Sequence, residues 1–215
     1  MLYDTIYNRW VVVKTIFLVA NNLVVDNINY ISKESVDERR AKRPLSAQGE
    51  KAALKLAKIK GLDCVSNIYS SEYASAISTA KYLSSRLEIS INIDGRLNER
   101  KIGNFPDGLK LSYYKDSQEH DFNYKLPSGE TINDTKKRIT AYMKNILSKD
   151  DDYIAIFTHQ IAITSFLLNY CEASYNLDDH LILNHKDRVV SNFNSLVIYK
   201  LVYDDELRLL DIKTY

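Results

Sequence analysis

Two kinds of apolar pattern alternate along the chain, and together they predict alternating strands and helices. Near-continuous apolar runs are typical of strands covered on both faces, and they occur at residues 10–19, 64–69 and 153–158. Residues 89–93 alternate apolar and polar side chains, which predicts a further strand. Between these segments apolar residues recur at helical spacing, and the predicted helices cover about residues 47–60, 72–84, 134–147 and 161–171.

Capping residues sharpen some of these boundaries. Ser46 is a predicted N-cap and Gly61 a predicted helix end, and Ser70 and Ser71 are predicted to cap the second helix. Residues 20–44 are polar and irregular.

The second half of the chain contains a long segment without a strong period. Residues 96–129 include Pro106 and Pro127, and we expect a loop region there with one helix near Lys110–Asp116. Two strands at residues 195–203 and 207–212 are predicted to close the fold.

Strands that alternate with helices predict an α/β fold with three layers, in which helices cover both faces of a mostly parallel central sheet. The length of 215 residues fits a single domain spanning 1–215. We expect its core at about 14–212, with a loop-rich insertion at about 100–130. Ligands of such sheets bind beyond the carboxyl ends of the strands, which here are followed by residues 20–22, 70–75, 96–100 and 159–160.

Composition excludes some classes of function. The chain has 29 basic and 28 acidic residues and a net charge of +1, so no overall field attracts nucleic acid or an anionic membrane. The most basic stretch, Lys33–Arg43, also contains three acidic residues, and we interpret it as a solvated segment. The apolar run at 10–19 is interrupted by Lys14 and is too short for a membrane span or a signal peptide.

Cysteine and histidine spacing predicts neither a disulfide nor a metal site. Cys64 and Cys171 are far apart in the sequence, and we interpret them as reduced thiols of a cytoplasmic protein. His120, His180 and His185 lack the spacing of metal ligands. We therefore expect no metal and no cofactor.

Several short motifs follow one another in an order that resembles the histidine phosphatase superfamily, which has the phosphoglycerate-mutase-like fold. The resemblance covers about residues 14–212 and rests on PLSAQGE at 44–50, IYSSEYASAISTA at 68–80, LNE at 97–99 and FTH at 157–159. It implies phosphoryl transfer to a histidine presented by a strand-end Arg-His-Gly. It also implies a second arginine in the following helix, a second histidine, and an acid that protonates the leaving group.

The sequence retains only part of that catalytic set. Carried over by position, the acid is Glu99 and the second histidine is His159. Ala20, Asn21 and Asn22 replace the Arg-His-Gly, and Ser75 replaces the second arginine. Asn27 keeps an asparagine that often follows the first motif. An amide nitrogen cannot accept a phosphoryl group at an ordinary rate because its lone pair is delocalised, and no histidine precedes His120.

Three functions remain open at this point, and the sequence does not settle whether the protein is an enzyme. The leading hypothesis is a pseudophosphatase that binds a small ligand or a protein partner in a pocket that also includes Gln160 and Arg100. The alternative is a repurposed hydrolase or other enzyme with His159 and Glu99 as an acid/base pair. A conventional phosphomonoesterase or mutase would have to borrow cations from Arg39, Arg100 or Lys101.

Two further interpretations stay open. Asn21 and Asn22 either bind a ligand or merely satisfy the backbone of their loop. We expect no nucleic-acid or membrane partner, whereas a homodimer is implied as possible by the resemblance.

Overall fold

A six-stranded sheet forms the centre of the protein in the computed structural model, which describes residues 14–25, 34–191 and 196–215. In chain order its strands are β1 (Lys14–Asn21), β2 (Asn67–Ser70), β3 (Ile91–Ile93), β4 (Tyr153–Thr158), β8 (Leu196–Tyr203) and β9 (Leu209–Thr214). A second, three-stranded sheet contains β5 (Glu172–Tyr175), β6 (Leu181–His185) and β7 (Arg188–Val189). The helices are α1 (Val36–Ala41), α2 (Ala47–Leu56), α3 (Ala74–Leu87), α4 (Leu111–His120), α5 (Ile132–Leu147) and α6 (Gln160–Leu167).

The central sheet has the order β3-β2-β4-β1-β8-β9. Its first four strands are parallel, whereas β8 and β9 pair antiparallel. The prediction of a mostly parallel α/β sheet is therefore confirmed.

Alternate residues of β1 face two separate cores, as a strand buried on both sides requires. Ile16, Leu18 and Ala20 belong to one apolar cluster, which also contains buried residues of α5 and α6. Phe17 and Val19 belong to the other, with residues of α2 and α3. The helices thus form one layer on each face of the sheet, as predicted.

Helix caps agree with the sequence at some positions and not at others. The Ser46 side chain accepts a hydrogen bond from Gly49 N and caps α2, as predicted. The prediction that Ser70 and Ser71 cap α3 is wrong, because the N-cap is Tyr73 and makes no side-chain cap. The Ser71 hydroxyl accepts from Tyr73 N, before the first turn of α3, and its other contact is tertiary, with the His159 ring.

Helix α1 and the whole second sheet were not predicted. Helix α1 lies in the segment that was expected to be irregular, and it begins with a capping box in which Ser35 and Glu38 satisfy each other's backbone N–H groups. The second sheet, β5 to β7, follows α6 where no strand was expected. Among the helices that the structure describes, none is long and apolar enough to cross a lipid bilayer.

Candidate functional site

The ends of three parallel strands meet at one edge of the central sheet. Ala20 pairs with Thr158, and Ser70 pairs with Phe157, so the residues that follow β1, β2 and β4 are neighbours. A cavity of about 630 Å³ opens at this edge, and we call it the strand-end cavity. It is lined by six of the predicted site residues, namely Asn21, Asn22, Ser75, Glu99, His159 and Gln160.

Asn21 uses its side-chain amide to hold the turn after β1. Its Nδ2 donates to Gly49 O at 3.2 Å, and its Oδ1 accepts from Leu23 N at 3.1 Å. A Cβ on Gly49 would lie 2.1 Å from Leu23 O, so this turn packs tightly against the start of α2. Asn21 is buried, whereas Asn22 is exposed. The contacts of Asn21 therefore match the interpretation in which the amide satisfies loop backbone.

His159 is the N-cap residue of α6 and is buried. Its Nε2 lies 2.8 Å from the Ser71 Oγ, and its ring packs on Tyr73 with the centroids 4.6 Å apart. Burial lowers the pKa of His159 to about 4, and the nearby Glu99 charge opposes that shift only in part. The imidazole is therefore neutral at neutral pH.

Glu99 is also buried, and its carboxylate closes the first turn of α6. Oε1 accepts from Arg100 N at 2.9 Å and from Ala162 N at 3.0 Å, and Oε2 accepts from Ile161 N at 3.1 Å. Burial by itself would raise the pKa of Glu99, but His159, Arg40 and the backbone N–H of Arg100 outweigh it, so the pKa lies below its ordinary value. An anion at a helix N-terminus with three backbone donors is a stable arrangement.

Two other predicted residues, Ala20 and Arg100, do not line the cavity. Ala20 is fully buried in the core. The Arg100 guanidinium donates to the Tyr114 hydroxyl and lies 4.8 Å from the centre of that ring, and neither Arg100 nor Lys101 lines the cavity. Asn27 is outside the described residues.

Helix α1 supplies a wall of the cavity that the sequence analysis did not identify. Arg39 and Arg40 of α1 line it, and so does Arg43, which lies two residues beyond the end of the helix, although their segment was interpreted as solvated. The segment contains acidic as well as basic residues, so its sequence did not show that the arginines line a cavity. The available signal was the capping box, which predicts a helix that begins after Ser35, followed by arginines four positions apart.

Asp37 and Arg40 fix α1 against the loop that carries Glu99. The Asp37 carboxylate accepts hydrogen bonds from Ile102 N and Gly103 N, both at 2.9 Å. Arg40 Nη1 donates to Arg100 O at 3.1 Å and contacts Asp37 Oδ1 at 3.3 Å. These contacts hold the arginine-bearing side of α1 at the cavity.

Helices α4 and α5 supply further lining residues. Lys115, Gln118 and Glu119 of α4 and Ile132 of α5 line the cavity. Within residues 14–25, 34–191 and 196–215, no group of three or more histidine, cysteine or acidic side chains is arranged to bind a metal ion.

Comparison with known proteins gives one family match and several structural matches. The sequence profile of the histidine phosphatase superfamily (branch 1) matches residues 32–192, a range that begins after β1 and residues 20–22. No curated protein sequence matches the chain significantly.

Three solved structures illustrate the structural similarity. A mycobacterial hydrolase has a TM-score of 0.63 and 15% identity over 94% of this chain and 97% of its own. A mycobacterial glucosyl-3-phosphoglycerate phosphatase in complex with inorganic phosphate has a TM-score of 0.59 and 16% identity over 88% of both chains. An Escherichia coli protein, provisionally named an alpha-ribazole-5'-phosphate phosphatase, has a TM-score of 0.61 and 16% identity over 92% of this chain and 96% of its own. At these identities the likeness establishes the fold.

Proposed function

This chain belongs to the histidine phosphatase superfamily, and we propose that it is a pseudophosphatase, which binds a small anionic ligand in the strand-end cavity without forming a phosphohistidine. Asn21 carries the proposal. It stands where the resemblance places the nucleophilic histidine, and both ends of its amide are already hydrogen-bonded to the backbone. Removing the nucleophile of a covalent enzyme lowers turnover by roughly a million-fold.

The second catalytic position of the pattern supports the same conclusion. Ser75 stands where the helix arginine is expected, and it lines the cavity from the first turn of α3. A serine hydroxyl cannot provide the charged, bidentate hydrogen bonds that a guanidinium gives to phosphate. At the positions of Asn21 and Ser75 the chain therefore has neither the attacking group nor the cation that would orient the phosphoryl group.

The alternative, an enzyme that uses His159 and Glu99 as base and acid, has less support. A general acid must carry a proton at the working pH. Glu99 accepts three backbone hydrogen bonds as a carboxylate, and its pKa is lowered, so it has no proton to donate near neutral pH. The retained pair is better explained as structure that joins the loop, α3 and α6 around the cavity.

The test is a phosphomonoesterase assay of the purified protein with p-nitrophenyl phosphate and phenyl phosphate. We compare the wild type with His159→Ala and with the double variant Asn21→Ala, His159→Ala. All three should give the same rate, at the background of the buffer. A wild-type rate that exceeds the rate of the double variant, in preparations that are equally folded by circular dichroism, contradicts the proposal.

A further inference from the structure

Arg39 and Arg43 form an unusual pair on the α1 wall of the strand-end cavity. Lys42 keeps helical backbone angles between them, so Arg43 lies about one turn beyond Arg39 on the same side. In the described part of the chain, the Nε of each guanidinium is buried and has no hydrogen-bond partner. Such buried donors are rare in proteins unless something accepts from them.

The pair is also not neutralised by carboxylates of the described residues. Among the residues that the structure describes, four basic side chains line the cavity, namely Arg39, Arg40, Arg43 and Lys115, against the two acidic side chains of Glu99 and Glu119. Glu99 is held by three backbone N–H groups, and Glu119 accepts from Leu181 N at 3.3 Å. The two acids of α1 have other partners: Asp37 contacts Arg40 and the backbone of the facing loop, and Glu38 accepts from Ser35.

We propose that Arg39 and Arg43 bind a phosphate group of the ligand, so that the oxyanion site of this protein lies on α1 rather than at the strand end. An oxyanion between two guanidiniums accepts from both and removes their mutual repulsion. The fork geometry of arginine suits the tetrahedral phosphate. This inference rests on the proposed function, since it names the group that the cavity recognises.

The first experiment measures binding of inorganic phosphate by isothermal titration calorimetry at low salt. Arg39→Gln and Arg43→Gln should each weaken binding on the order of tenfold, which corresponds to one lost charged hydrogen bond, and the double variant should bind more weakly still. Added sodium chloride should weaken wild-type binding. Arg86→Gln is the matched control, because Arg86 lies on α3, pairs with Asp63 and does not line the cavity.

A second set of variants separates a phosphate site from a role in folding. Arg39→Lys and Arg43→Lys keep the charge but lose the bidentate fork, so they should bind between the wild type and the glutamine variants. Thermal melting of every variant without phosphate shows whether the fold is retained. Asn21→Ala and Ser75→Ala, at the strand-end side, should change phosphate affinity less than Arg39→Gln.

Either of two results overturns the site. One is a wild type that does not bind millimolar phosphate; the other is a folded Arg39→Gln, Arg43→Gln variant that binds as tightly as Arg86→Gln. Phenyl phosphate in the same titration distinguishes a phosphate ester from free phosphate as the ligand. Tighter binding than inorganic phosphate supports an ester ligand, and no binding of phenyl phosphate contradicts an ester ligand. Hydrolysis of the ester with arginine-dependent phosphate binding would contradict the proposed function and leave this site intact.

Discussion

Mild acid should destabilise the folded protein through His159, and replacing this histidine by glutamine should remove the effect. The imidazole is buried, and burial lowers its pKa from 6.5 to about 4. In the unfolded chain the same group takes up a proton near pH 6.5. Between these values the unfolded state binds more protons than the folded state, so stability falls as the pH is lowered through this window.

The size of the effect follows from the two pKa values. One pKa unit corresponds to about 1.4 kcal/mol. At pH 7 the group is neutral in the folded state and mostly neutral in the unfolded state. At pH 5 the imidazole is almost fully protonated in the unfolded state and mostly neutral in the folded state. The difference is a loss of about 2 kcal/mol of unfolding free energy between pH 7 and pH 5.

Urea unfolding at pH 7, 6 and 5, followed by circular dichroism, measures this loss. The glutamine amide of His159→Gln can still reach the Ser71 hydroxyl but does not titrate. The variant should therefore lose about 2 kcal/mol less unfolding free energy between pH 7 and pH 5 than the wild type. His180→Gln removes an exposed histidine and serves as the control. Parallel pH dependence in the wild type and His159→Gln would refute the reasoning.

Three further predictions test the contacts around the cavity. Glu99→Gln replaces the carboxylate that accepts three backbone hydrogen bonds, and it should lower the unfolding free energy by about 2–4 kcal/mol at pH 7. This difference should shrink as the pH falls below 4.5 through the lowered pKa of Glu99, and equal urea midpoints at pH 7 would contradict it. Gly49→Ala places a methyl group 2.1 Å from Leu23 O and should lower the unfolding free energy by about 1–3 kcal/mol in the same assay; an unchanged midpoint would show that the turn can move away. Asp37→Ala removes the acceptor of Ile102 N and Gly103 N, so it should weaken phosphate binding in calorimetry although Arg39 and Arg43 are still present, and unchanged affinity would mean that α1 does not need this anchor.

The sequence determined the layered architecture because buried faces of strands and helices appear as apolar patterns within short stretches of the chain. The continuous apolar run of β1 is what a strand between two helix layers requires, and its alternate residues do enter the two cores. The N-cap of α2 and the periodic residues of α5 are equally local, since a helix side and its first turn are set by residues three and four apart. The predicted helix end at Gly61 was wrong, because α2 ends at Leu56. The same holds for the residues at the strand ends, which follow from topology once the parallel sheet is accepted.

Partners far apart in the chain were not predictable in this way. Ser71 was expected to cap α3, but its hydroxyl contacts His159, 88 residues later. Arg100 was expected in the pocket, but its guanidinium lies on Tyr114. Such choices depend on which side chains the folded chain brings together, and nothing in the local sequence records them.

Helix α1 shows most clearly what only the tertiary structure decided. Its six residues have no buried side chain and so give no apolar period, and its mixed charges resemble a solvated loop. The fold separates these charges: Asp37 turns to the backbone of residues 102 and 103, while Arg39 and Arg43 face the cavity. The sequence by itself predicted that the nucleophile and the arginines of the family pattern are replaced. The packing of α1 against a loop more than sixty residues away decided that other arginines line the same cavity.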